Sequence, residues 1–263
     1  MKYEAQERAR VRNPILLTGA IAWILLLVEP GRLEMYAHCP VADSGPIQFS
    51  ASFEMLLATN PPASLVAGWT LMLVAMMSPV LIPPIRHIRL SSFAHLRARS
   101  TALFLIGYTT IWMALGGVLL AIELVVRSFA RGYLPAAGVV LIALLWLFSP
   151  IKQRFLNRCH AHPELAAFGA AADLDALRFG MTHGTWCAGS CWALMLFPML
   201  LPRGHVVAMA VAGVLIFSER LEQPRMPCWG WRGFGKAIRI LVVQTRIALH
   251  AVRIAPRAAL YFR

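Results

Sequence analysis

From Thr101 to Val126 the chain carries one charged side chain, Glu123. In a hydrocarbon layer such a run can satisfy its backbone only by bonding within itself, which makes it an α-helix. Five further runs share this character, at 14–30, 65–85, 134–149, 179–201 and 204–219, of which 134–149 and 204–219 are the shortest. Together they predict an all-α fold, a polytopic membrane helical bundle of six transmembrane helices. The composition agrees, at 59% hydrophobic and 14% charged residues, against about 45–50% and about 25% in soluble domains. The first run follows a basic flank, as a signal peptide would. No small-x-small cleavage site follows it, so it reads as a retained span.

The net charge of +13 is a matter of topology. With six spans both ends face one side, and 21 of the 25 Lys and Arg residues fall in 1–13, 86–100, 150–178 and 220–263. The other four are Arg32, Arg127, Arg131 and Arg203. Basic residues accumulate on the cytoplasmic side, which predicts a cytoplasmic N-terminus at 1–13, a six-span domain at 14–219 and a cytoplasmic basic tail at 220–263. The loop at 31–64 is then an extracytoplasmic cap, and a bacterial inner membrane is the expected location. In the tail, Lys236, Arg239, Arg246 and Arg253 recur among Ile, Leu and Val. That pattern predicts a basic amphipathic helix lying on the anionic leaflet, with a seventh span as the alternative. The bilayer is the expected partner. Without a basic patch interleaved with aromatics, no nucleic acid is expected.

The fifth run carries the chemistry. His183, Cys187 and Cys191 follow one another at spacings of four in "GMTHGTWCAGSCWALM", which places them on one helix face about 6 Å apart along the axis. One ion can take two neighbours of that stripe but hardly all three, so other ligands must come from another helix. Gly180, Gly184 and Ala188 also recur every four residues and permit close helix packing. The second run, "GWTLMLVAMMSPVLIPP", brings Met76 and Met77 to the depth of the two cysteines. Thiolate and thioether are soft donors that suit copper as Cu(I), with zinc or iron as the alternatives. Near the inner mouth, Cys159, His160 and His162 fall within four residues, and His38 and Cys39 form an outer counterpart. Each group also has a plain reading. Free cysteine is a small buried apolar residue, methionine fills core gaps, and His183 can simply pair with Glu219 or Arg220.

Other chemistries lack their residues. There is no G-x-x-x-x-G-K-[ST], G-x-S-x-G or H-E-x-x-H motif, and five cysteines make no disulfide framework in a chain this long.

These blocks resemble a bacterial family of predicted metal-binding integral membrane proteins. Its helix signature is matched by His183, Cys187, Cys191, Trp192 and Met195, and its Trp-Met-Met-Pro block by Trp69, Met72, Ala75, Met76, Met77 and Pro79. Pro150, Lys152 and Cys159 match a third block, and Glu219 and Leu221 a fourth, so the resemblance runs over about 65–221 in order. Ser190 and Phe155 stand where the family has further cysteines. The resemblance implies metal binding in the membrane. With the soft donors, the expected function is to bind or pass copper and deliver it to a membrane metalloenzyme. An accessory subunit with packed cysteines, and a thiol oxidoreductase using Cys187 and Cys191, are the other two readings.

Reporter fusions at Arg99, Leu134 and Arg263 are expected to read in, out and in; an outward tail would overturn the six-span topology.

Overall fold

The apolar runs fold as helices throughout the described residues. A computed structural model describes residues 2–28, 62–129, 133–201 and 203–246. Its helices are α1 (Lys2–Val28), α2 (Pro62–Met77), α3 (Ile82–Ser91), α4 (Arg97–Phe129), α5 (Leu134–Phe148), α6 (Pro150–Arg158), α7 (Gly169–Leu200) and α8 (His205–Leu221). A further helix, α9, covers 235–246. No strand occurs among the described residues. Most of the cap, with His38 and Cys39, and the tail beyond 246 lie outside them.

α7 sits centrally, packed against α4, α5, α6 and α8, while α1, α2 and α3 form a second group joined to it through α4 and α8. Three helical stretches are long and apolar enough to cross a membrane: Arg8–Val28, Ala63–Ser91 and Arg97–Val126. α5 and α6 make a fourth candidate, bent by 67° between them. α7 is 32 residues long and α8 has 17 residues.

The crossing of α4 and α7 is set by glycine. A Cβ on Gly107 would lie 2.5 Å from the Leu177 carbonyl oxygen, and one on Gly180 would collide with the carbonyl oxygen of Phe104. At Gly184 the space is also tight, 3.3 Å from the Tyr108 carbonyl oxygen. The close approach expected from Gly180 and Gly184 is therefore made, and α4 makes it.

The passage from α2 to α3 is a backbone accounting problem. Pro79 has no N–H to return to the carbonyl of Ala75, four residues earlier, and the chain tightens to a 3₁₀ turn at Ser78–Leu81. Trp23 of α1 supplies the missing donor, its Nε1 lying 2.9 Å from Ala75 O. An unmet buried carbonyl would cost about 1–3 kcal/mol. Ser78 Oγ turns back to Val74 O and satisfies another acceptor in the same turn.

At the other break, Ser149 caps α6. Its Oγ accepts from Lys152 N at 3.1 Å, and Pro150 occupies the first turn, where its missing N–H costs nothing. The stretch from Ser149 to Gly169, which reads as a loop in sequence, thus opens with a helix, because Ser-Pro before a short polar run is a helix start. Past α8, α9 leaves Ile238, Leu241 and Val243 exposed.

Two glycines, one on each of these helices, separate packing from propensity. Gly180→Ala should destabilise the fold by about 1–3 kcal/mol through overpacking. Gly117, on α4 with open space around its Cα, should gain up to about 1 kcal/mol on replacement by Ala. Thermal unfolding in detergent reads both, and equal shifts would show that the crossing is loose.

Candidate metal centre

Helix periodicity carries His183, Cys187 and Cys191 to the buried side of α7, with exposures of 3%, 0% and 2%. Their surroundings differ. The Cys187 sulfur lies 3.4 Å from Tyr108 Oη on α4. Cys191 Sγ donates to the Cys187 carbonyl at 3.0 Å, and Ser190 Oγ donates to the same oxygen at 2.7 Å. α7 stays helical through all three, and Cys159, Cys187 and Cys191 are free thiols.

Met76 and Met77 share one buried cluster with Cys159, Cys187 and Cys191, to which Met72, Met195 and Met209 also belong. The route between the methionines and the cysteines is less direct than depth alone implied. α2 packs chiefly on α1 and touches α4 and α8, while α7 takes α4 as its main partner. Among the described residues, no three His, Cys, Asp or Glu side chains are set together in a way that could hold a metal ion. The sequence reading passed over Met195 and Met209 as donors, although Met195 lies one turn beyond Cys191.

Arg220 is the residue that most changes the picture. Its guanidinium reaches Ser190 Oγ at 3.3 Å and sits beside the sulfurs of Cys159 and Cys187. Among the described residues no carboxylate pairs with it, and the adjacent Glu219 is taken by Lys152. Both Glu219 oxygens lie 2.6 Å from Lys152 Nζ, at exposures of 4% and 2% for the two side chains. Glu219 is thus unavailable to His183, and the pairing considered from sequence does not form. Instead His183 stacks loosely among Phe104, Tyr108 and Phe179, with ring centroids 5.8–6.2 Å apart. Its Nε2 is buried without a hydrogen-bond partner, and its ring lines a cavity of about 440 Å³ together with Arg158, Glu164, Arg178 and Trp186.

The inner-mouth residues divide. Cys159 is buried at the end of α6, inside the same cluster as the α7 cysteines. Both ring nitrogens of His160 face carbonyl oxygens, Leu156 O at 3.0 Å and Arg220 O at 3.1 Å, which leaves no lone pair directed at an ion. His162 packs against His87 with centroids 4.9 Å apart. Burial, and then the neighbouring His87, hold the His162 pKa below its ordinary value, which favours the neutral imidazole. At the two positions where cysteine is missing, the ring of Phe155 lies against Gly189, where a Cβ would collide with it, and Ser190 serves as the hydroxyl partner of Arg220.

The model of a family described as PpoB2, copper chaperone, matches residues 66–243 of the chain. No curated protein and no solved structure matches it.

Removing one partner of the Lys152–Glu219 pair should cost about 3–5 kcal/mol, because the other charge is then stranded in an apolar interior. Lys152→Met is expected to lower the unfolding temperature sharply, and Lys152→Met with Glu219→Leu to recover most of the loss. A double variant no better than the single would show that the pair is not the source of the cost.

Proposed function

The chain belongs to the PpoB2 copper chaperone family, and we propose that it is a polytopic inner-membrane protein that takes up Cu(I) in its buried cysteine and methionine cluster and passes it to a membrane metalloenzyme. One observation carries this reading: Cys159, Cys187 and Cys191 share a single buried cluster with Met76, Met77, Met195 and Met209. Thiolates alone would also hold zinc or an iron–sulfur cluster, but thiolates combined with a thioether in a dry site are the soft donor set that suits Cu(I). Cys187 and Cys191 are the principal ligands, with Met76 or Met77 as the thioether. His183 is a separate donor at the cavity, since a regular helix keeps it two turns from Cys191. Cys159, His160 and His162 extend the path toward the inner mouth, where His160 has to give up a carbonyl contact before it can bind.

On this reading α5, α7 and α8 add three crossings to the three long apolar stretches, both termini are cytoplasmic, and α9 lies on the inner leaflet. Electrostatics supports the location of the ion. Cu(I) held by two thiolates carries one net negative charge, and the guanidinium of Arg220 beside Cys187 balances it.

A second reading has a specific observation in its favour. The α7 thiols are already engaged, Cys187 with Tyr108 and Cys191 with the Cys187 carbonyl, as packed cysteines in an accessory subunit would be. Metal analysis separates the two. Cys187→Ser combined with Cys191→Ser should abolish copper bound to the purified protein while leaving its unfolding temperature within a few degrees of the parent. Full retention of copper would move the ion to Cys159, His160 and His162. Parent protein purified with copper present and carrying none would establish the accessory reading.

A further inference from the structure

α6 clamps the chain that leaves α8. Gln153 Nε2 donates to Cys228 O at 2.8 Å and Gly230 O at 2.6 Å, and Asn157 Nδ2 donates to Arg225 O at 2.7 Å. Arg232 is drawn into the same clamp, its terminal nitrogens meeting Asn157 Oδ1 and the carbonyls of Gln153 and Gln223. Beside the clamp is a cavity of about 290 Å³, lined by Arg225, Arg232, Lys236, Arg239 and Glu222.

The charges in this cavity do not cancel. Glu222 is its one carboxylate, and that group is already used. Its Oε1 accepts the Lys236 backbone N–H at 2.7 Å and caps the start of α9, and its Oε2 stands 4.0 Å from Arg225. Four cations therefore face one engaged carboxylate. Arg232 is only 7% exposed, and its Nε is buried without a hydrogen-bond partner. A buried guanidinium nitrogen in a cationic cavity calls for an anion with several acceptor oxygens.

The surroundings identify the kind of anion. Trp229 and Trp231, just before the cavity, are 73% and 40% exposed, as aromatic side chains are at a membrane–water boundary. Beyond it, α9 exposes Ile238, Leu241 and Val242 next to Arg239. A soluble phosphate would answer the charge but not the apolar surface. An amphiphile answers both. We propose that this cavity binds the phosphate headgroup of an anionic phospholipid, with α9 lying along the acyl chains. The inference rests on the membrane reading above, and it is independent of copper.

Native mass spectrometry of the full-length protein, exposed in detergent to phosphatidylglycerol or phosphatidylcholine, tests it. The parent should retain phosphatidylglycerol in preference. Arg239→Gln should lower that retention about fivefold, whereas Arg246→Gln, which removes the same charge from α9 outside the cavity, should change it by less than about twofold. Equal losses would reduce the effect to general surface charge and overturn the site. So would equal retention of the two lipids. Displacement of phosphatidylglycerol by millimolar inorganic phosphate would reassign the cavity to a soluble anion. Extraction of the protein from membranes by alkaline carbonate would remove the membrane reading itself. A membrane-retained protein with no lipid preference would overturn this site alone.

Discussion

The contact between α4 and α7 is the constraint from which the rest follows. Three glycines, Gly107, Gly180 and Gly184, let the two backbones approach to a distance that any Cβ at the first two would prevent. In a bilayer, where apolar side chains gain little by leaving lipid, such close packing is a main source of helix association. It also fixes the register of the chemistry. With Gly180 against Phe104 and Gly184 against Tyr108, the next turn of α7 brings Cys187 to Tyr108 Oη. A helix held farther away would leave that thiol facing a gap.

The same economy governs the broken helix. Pro79 forfeits one hydrogen bond, and the indole of Trp23 restores it across to α1. Trp69 acts similarly, donating to Trp112 O at 3.0 Å over the bare surface of Gly116, where a Cβ would lie 2.5 Å from the indole. Both indoles tie α2 to a neighbour by a polar contact inside an apolar layer. That holds Met72, Met76 and Met77 at fixed depth, although α2 is not a main partner of α7.

Helix content and the buried face of α7 were legible in the sequence because both are written as local periodicity. Gly180 and Gly184 announced a close approach, but not to which helix, since small residues at spacing four describe one surface and not its complement. The partner was encoded in Gly107, one of three glycines in the 101–126 run, with no small residue at spacing four to single it out. The roles of Lys152 and Glu219 were hidden for another reason. They stand 67 residues apart on α6 and α8, and no spacing rule links them. The four family-like blocks carried each of them separately, and only the fold brings them together. Arg220 was legible only as the end of an apolar run and as a candidate partner of His183. That it turns inward toward three thiols depends on its neighbour Glu219 being occupied by Lys152.

This last dependence gives the cysteine cluster its electrostatic character. With the thiols protonated, the pocket holds the charge of Arg220 with no carboxylate among the described residues to offset it, while Lys152 and Glu219 cancel each other. An uncompensated charge away from water is costly. If Cu(I) replaces the protons of two cysteines, as proposed, the ion and its thiolates together bring one negative charge and the pocket becomes neutral. On that proposal loading would exchange thiol protons for an anionic copper–dithiolate beside the guanidinium, and it would release protons as it did so. A divalent ion on the same two thiolates would add no compensating charge and would leave the guanidinium as exposed as before. On the proposed loading, Arg220 would favour a monovalent soft ion on grounds of charge, independently of the softness of sulfur. Discrimination against zinc would then come from two separate physical terms acting at one place.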